Sequence, residues 1–158
     1  LPWVPRGTLS WLLRFGNLTT HGSFFMSREA IISIGGYRER FRYAQDYDLL
    51  LRWIEHFPLD IVWEDLYLQR LSEKNISTQK KKVQFQFSVL AGLFAAERRN
   101  TKHRKGGSLD RYSLLDPEHP EFLLSTMIQD HPFQIYAIDL FFSIIHRGLR
   151  VRQLLNER

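Results

Sequence analysis

Two carboxylates, Asp46 and Asp48, stand where the stretch Gly35-Gly36-Tyr37-Arg38-Glu39-Arg40-Phe41-Arg42-Tyr43-Ala44-Gln45 gives way to the apolar run Leu49-Leu50-Leu51. The pattern is a glycine turn, an aromatic-basic loop, and then acids at the start of a helix. Free backbone N–H groups and the helix dipole stabilise a carboxylate anion there. A general base working at neutral pH needs that setting. The plain alternative makes Asp46 a helix cap and Asp48 a surface charge, because aspartate caps are common.

Other reactive side chains are sparse. The chain has no Cys, which excludes a disulfide scaffold, a zinc-thiolate site and a cysteine nucleophile. Of six His, only His21, in His21-Gly22-Ser23, lies in a segment with a candidate role. His56, His103, His119, His131 and His146 show no metal-ligand spacing, and there is no Gly-rich phosphate loop or Ser-His-Asp arrangement. Basic residues cluster at Lys80-Lys81-Lys82, from Arg98 to Lys105, and from Arg147 to Arg158. Such runs are either solvated faces or contacts for an anionic partner. No nucleic-acid-binding motif accompanies them, so a nucleic-acid partner is not expected.

These residues need elements to position them. Ser10 to Phe15 reads as a short helix ended by Gly16-Asn17, and Leu18 to Met26 as extended. Ser27 suits an N-cap for a helix through Ile34, stopped by Gly35-Gly36. A second helix is expected from Gln45 to His56, with Leu49, Leu50, Trp53, Ile54 and Phe57 on one stripe and Asp48 and Arg52 spaced for an i,i+4 pair. Ile61-Val62-Trp63 and Leu66-Tyr67-Leu68 look like two short extended stretches separated by Glu64-Asp65. Ser77 should cap a long helix to Arg99, with Val83, Phe87, Leu90 and Phe94 as its seam. Pro120 and Pro132 mark the starts of helices over Glu121–Gln129 and Phe133–Arg147. Asn100 to Ser108 reads as a basic linker, which divides the chain into 1–100 and a helical extension over 101–158.

At 158 residues, with 44% hydrophobic and 25% charged, the chain has the make-up of one globular domain and not of a disordered or collagen-like polymer. Aromatic content is 14%, ample for a core. The formal charge of +5 favours anionic partners: phosphates, nucleic acid or a lipid surface. No apolar run is long enough to span a membrane, and nothing has the layout of a signal peptide. A chain opening Leu1-Pro2-Trp3 without Met is expected to be processed or part of something longer.

Several segments in order carry a resemblance. His21-Gly22-Ser23-Phe24-Phe25-Met26-Ser27-Arg28-Glu29-Ala30, Gly35-Gly36-Tyr37-Arg38-Glu39, Ala44-Gln45-Asp46-Tyr47-Asp48-Leu49, Leu66-Tyr67-Leu68-Gln69-Arg70 and Asn75-Ile76-Ser77 resemble the acceptor-side half of a family 2 glycosyltransferase of the GT-A fold. The match covers roughly Asn17 to Ser77. It implies an α/β fold, a partial GT-A domain with a few short strands and flanking helices, followed by the helical extension. It also implies an inverting transfer from a nucleotide-sugar donor to a saccharide or lipid-linked acceptor in cell-surface glycan synthesis, with Mg2+ or Mn2+ in the intact enzyme.

By that resemblance Asp46 matches the family's general base, and Gln45 stands where Glu is commoner. His21 and Ser23 lie on the acceptor side, with a satisfied structural histidine as the equal alternative for His21, and Arg70 holds a phosphate or a structural salt bridge. The family's Asp-x-Asp metal motif is not in this chain, so the metal ligands are expected outside it and an isolated fragment is expected to be inactive. Ser72 replaces the His of the family's Arg-x-His, and Leu49 replaces the Gln of Gln-x-x-Arg-Trp, which disfavours a processive polymerase. The implied setting is cytoplasmic, with a peripheral position on the anionic inner face of a membrane. The alternative function is a non-enzymatic basic helical module that binds an anionic membrane surface or a protein partner.

Overall fold

A computed structural model describes residues 7–62, 64–70, 80–101 and 115–146. The elements are helices: α1 (Thr8–Leu12), α2 (Arg28–Ser33), α3 (Gln45–Trp53), α4 (Lys81–Thr101), α5 (Pro120–Asp130) and α6 (Pro132–His146), with 3₁₀ turns at His21–Ser23 and Glu39–Phe41. Among the described residues there is no strand and no sheet. The expected α/β fold, a partial GT-A domain built on short strands, is therefore corrected to a helical one.

The reason lies in what a strand needs. Thr20, Phe24 and Ser27 do have extended backbone. Between them, however, Ser23 N donates to Thr20 O at 2.9 Å and Phe24 N to His21 O at 3.2 Å, closing a turn over His21-Gly22-Ser23. Val62, Leu66 and Leu68 are left exposed, Leu68 at 94%, and none of them pairs in a ladder with another of the described residues. β-branched and aromatic residues fit a pleated surface, but only a paired edge makes them a strand.

The helices form largely where expected. Ser27 Oγ accepts from Ala30 N at 3.3 Å and caps α2. Gly35 and Gly36 end it at φ 86° and 64°, the left-handed region that a side chain disfavours. Pro120 occupies the first turn of α5 after His119, where its missing N–H costs nothing. The long helix starts at Lys81 in the described chain and runs on to Thr101, into the segment read as linker. The Ser77 cap, Trp63, Ser72, Asn75-Ile76-Ser77, the rest of the basic linker and the Arg147–Arg158 group lie outside the described residues.

Helix α4 is the centre of the molecule. Of its expected seam, Phe87, Leu90 and Phe94 are buried and Val83 packs partly against the core. Burial goes beyond one stripe: Phe85, Val89, Ala91, Leu93, Ala95 and Ala96 are buried too. A helix apolar on most sides must be covered on most sides. Helix α3 covers it through Tyr47 and Leu51, and α5 and α6 through Leu124, Met127, Ile135 and Ile138. Phe41 meets Phe87 and Phe94 edge-on, with ring centroids 6.4 and 5.7 Å apart. Two side-chain ties hold neighbouring segments to α4: Arg98 Nε donates to Glu55 Oε1 at 3.0 Å, and His131 Nε2 lies 2.9 Å from Glu97 Oε1.

Tyr47 joins α1 to the core. It is 1% exposed, and its hydroxyl donates to Leu13 O at 2.7 Å. Burial pushes the phenol well above its ordinary value of 10.0, against a small opposing pull from Arg99. The folded state thus holds this proton more tightly than the unfolded chain. Its stabilising contribution is complete below the ordinary tyrosine range and fades as pH climbs above it. Tyr47→Phe should cost about 1–2 kcal/mol at neutral pH, because it leaves the Leu13 carbonyl without its donor. The variant should also lose less stability than wild type between pH 9 and pH 11, values on the order of the tyrosine range. Urea titrations at both ends of that window check the two halves.

Candidate active site

Asp46 is the second residue of α3 and half-buried. The N-cap is Ala44, which makes no side-chain cap bond. Asp46 is therefore no cap; it is an anion in the first turn, where the helix dipole favours its charge. Its Oδ2 receives a long contact of 3.5 Å from Asn17 Nδ2. Asn17 is itself held by the turn after it, with Oδ1 accepting from Thr19 N at 3.0 Å and from Thr19 Oγ1 at 2.8 Å. Gln45, the first residue of α3, is half-buried beside it.

Asp48 is the opposite case. It is fully buried, so the surface-charge alternative does not hold for it. The expected i,i+4 pair is present: Arg52 Nε and Nη2 donate to Asp48 Oδ2 at 3.0 and 2.8 Å. Arg52 also donates to Ile34 O at 2.6 Å and to Gly36 O at 2.7 Å. Arg38 Nη1 lies 3.8 Å from Asp48 Oδ1. Asp48 and Arg52 thus pin the Gly35-Gly36 turn onto α3, and Tyr37 follows directly from that turn. Two carboxylates two residues apart take different duties because a helix sends them to different sides.

Tyr37 completes the group. His21 Nε2 and Tyr37 Oη share a hydrogen bond of 2.8 Å, with ring centroids 5.6 Å apart. The Tyr37 phenol is held above its ordinary value, first by burial and then by the charge of Asp46. It therefore stays protonated at neutral pH and able to donate. Beside His21, a Cβ on Gly22 would collide with the ring and hydroxyl of Tyr67. Tyr67 comes from the segment 64–70 and seats on the turn through that missing side chain.

Of the residues expected from the sequence, His21 bonds Tyr37, and the charge of Asp46 reaches the Tyr37 phenol. Ser23 does not join them: its exposed hydroxyl donates to Thr20 O at 2.7 Å, inside its own turn. Arg70 is exposed, three residues beyond Tyr67. Asn17 and Tyr37 had no expected role. Asn17 reads as a helix stop in one dimension, and Tyr37 as one of several aromatics in a loop.

Measured against known protein families, curated proteins and solved structures, the chain finds no match.

The local chemistry is what remains to decide the function. One carboxylate, one amide, one imidazole and two phenols make a polar group that can accept a proton and orient hydroxyls. Among the described residues, no three His, Asp or Glu side chains are placed to hold a metal. No helix in the described residues is long and apolar enough to cross a membrane.

Proposed function

We propose that the protein serves in inverting glycosyl transfer, with Asp46 as the base that activates the acceptor. Asp46 takes the proton from an acceptor hydroxyl as that oxygen attacks the anomeric carbon of a nucleotide-activated sugar. The bond from that carbon to the nucleoside diphosphate breaks, and the anomeric configuration inverts. The observation that carries the reading is the half-buried Asp46 carboxylate in the first turn of α3, bordered by Asn17 and coupled by its charge to Tyr37. A base must be ionised, placed and reachable, and that setting suits all three needs.

The order of the motifs around Asp46 adds support, as does the half-buried Gln45 next to it. Donor binding and the divalent metal belong, on this reading, to parts beyond the residues described. The reading includes a cytoplasmic setting at the inner face of a membrane, where the exposed Lys80, Lys81 and Lys82 suit an anionic surface. The alternative of a basic module without chemistry would leave the pairing of His21 and Tyr37 near Asp46 without a purpose.

The test is direct transfer. The protein is incubated with UDP- and GDP-sugars, Mn2+ and a panel of saccharide and lipid-linked acceptors, and products are resolved by mass and by the configuration of the new linkage. An inverted product from any donor and acceptor supports the reading. A retained configuration would sink it, because a single base acting on the acceptor inverts.

A further inference from the structure

We propose that Tyr37 and Tyr67 select the acceptor, forming with the His21–Ser23 turn a subsite for one pyranose ring of a saccharide beside Asp46. The proposal rests on the glycosyl-transfer reading for what happens at Asp46, but its geometry is separate. Both tyrosines bear on the same three-residue turn: Tyr37 hydrogen-bonds His21, and Tyr67 occupies the space over Gly22. Neither belongs to the core cluster. They are 45% and 46% exposed, so part of each ring is open, and the Tyr37 hydroxyl is anchored on His21. Phe25, two residues beyond the turn, is fully exposed.

Half-open, anchored aromatics beside a carboxylate match a sugar ring on two counts. The C–H face of a pyranose is apolar and covers an aromatic surface, while its rim of hydroxyls needs donors and acceptors. Rigid tyrosines offer both at little entropic cost. The rim partners present are the His21–Tyr37 pair, the Asn17 amide and Asp46 itself. A plain alkyl alcohol would use the carboxylate and leave this polar group unpaired, which disfavours it as the acceptor.

Gly22 makes the proposal specific. A methyl group at that position needs the Tyr67 ring to move, although it changes none of the polar groups. Gly22→Ala therefore tests the seat of Tyr67 apart from its chemistry.

Saturation-transfer NMR on the 158-residue chain, with cellobiose and chitobiose as probes at millimolar concentration, reads the subsite without catalysis. Ring C–H protons should receive saturation in the wild type. Tyr37→Ala, Tyr67→Ala and Gly22→Ala should each weaken that signal about fivefold, the scale of one aromatic contact. Tyr67→Phe should restore most of it. Far-ultraviolet circular dichroism of the tyrosine variants should match wild type, since both rings lie outside the core. No saturation of either disaccharide in the wild type, or equal signals from wild type and the alanine variants, would overturn the subsite even if transfer is observed. Tyrosine-dependent saturation together with a retained configuration in the transfer assay would support the subsite and sink the catalytic reading.

Discussion

Asp48→Asn is expected to destabilise the protein by about 3–5 kcal/mol, the cost of breaking a buried ion pair from one side. The substitution keeps the shape and removes the charge. Arg52, only 3% exposed, would then keep its two carbonyl partners at Ile34 and Gly36 but lose the anion that compensates it. Arg38 would lose its nearby anion as well. Domains are stable by about 5–15 kcal/mol in total, so this one change puts folding at risk. Asp46→Asn should shift stability by no more than about 0.5 kcal/mol, as at sites away from buried networks. Urea unfolding of the two variants beside wild type gives the comparison. Near-equal midpoints for Asp48→Asn and wild type would mean that the pair does not hold the Gly35-Gly36 turn in place.

The same two substitutions should change places when activity is measured. In a transfer-competent protein, Asp46→Asn should lower turnover by roughly 10²–10⁴-fold, the contribution of a well-placed general base. Its acceptor KM should change little, because the amide keeps the size and polarity of the carboxylate but cannot take the proton. Near-full turnover in Asp46→Asn would remove Asp46 from the chemistry. An Asp48→Asn protein that folds at low temperature and keeps its turnover would confirm that the two acids are separate in duty.

Some elements could be read locally because local forces decide them. Ser27 caps α2 through a bond three residues away, and Gly35-Gly36 supply a backbone conformation that other residues avoid. Pro120 and Pro132 open helices whose first N–H groups are unpaired in any case. Asp48 and Arg52 meet because one helical turn brings them together. Each depends on neighbours within four residues, and each was legible.

The short strands were misread for the matching reason. Leu18–Met26, Ile61-Val62-Trp63 and Leu66-Tyr67-Leu68 read as extended, and the resemblance implied strands, but a strand is completed by a partner far along the chain. Among the described residues, no partner pairs with Leu66 or Leu68, which stand exposed. Helix α4 shows the same limit from the other side. Its seam was visible, but its place at the centre was not, because burial on nearly all sides depends on α3, α5 and α6 arriving around it.

For the candidate site, the sequence by itself determined the carboxylate at a helix start and the glycine turn before it. Only the tertiary structure decided that Asp48 is buried with Arg52 while Asp46 keeps its place at the border of Asn17 and Tyr37. It likewise joined His21 to Tyr37 across 16 positions and seated Tyr67 on Gly22. Spacing along a chain fixes which side chains share a helical turn. Which of them meet across loops depends on how the apolar faces pack, and that is a property of the whole fold.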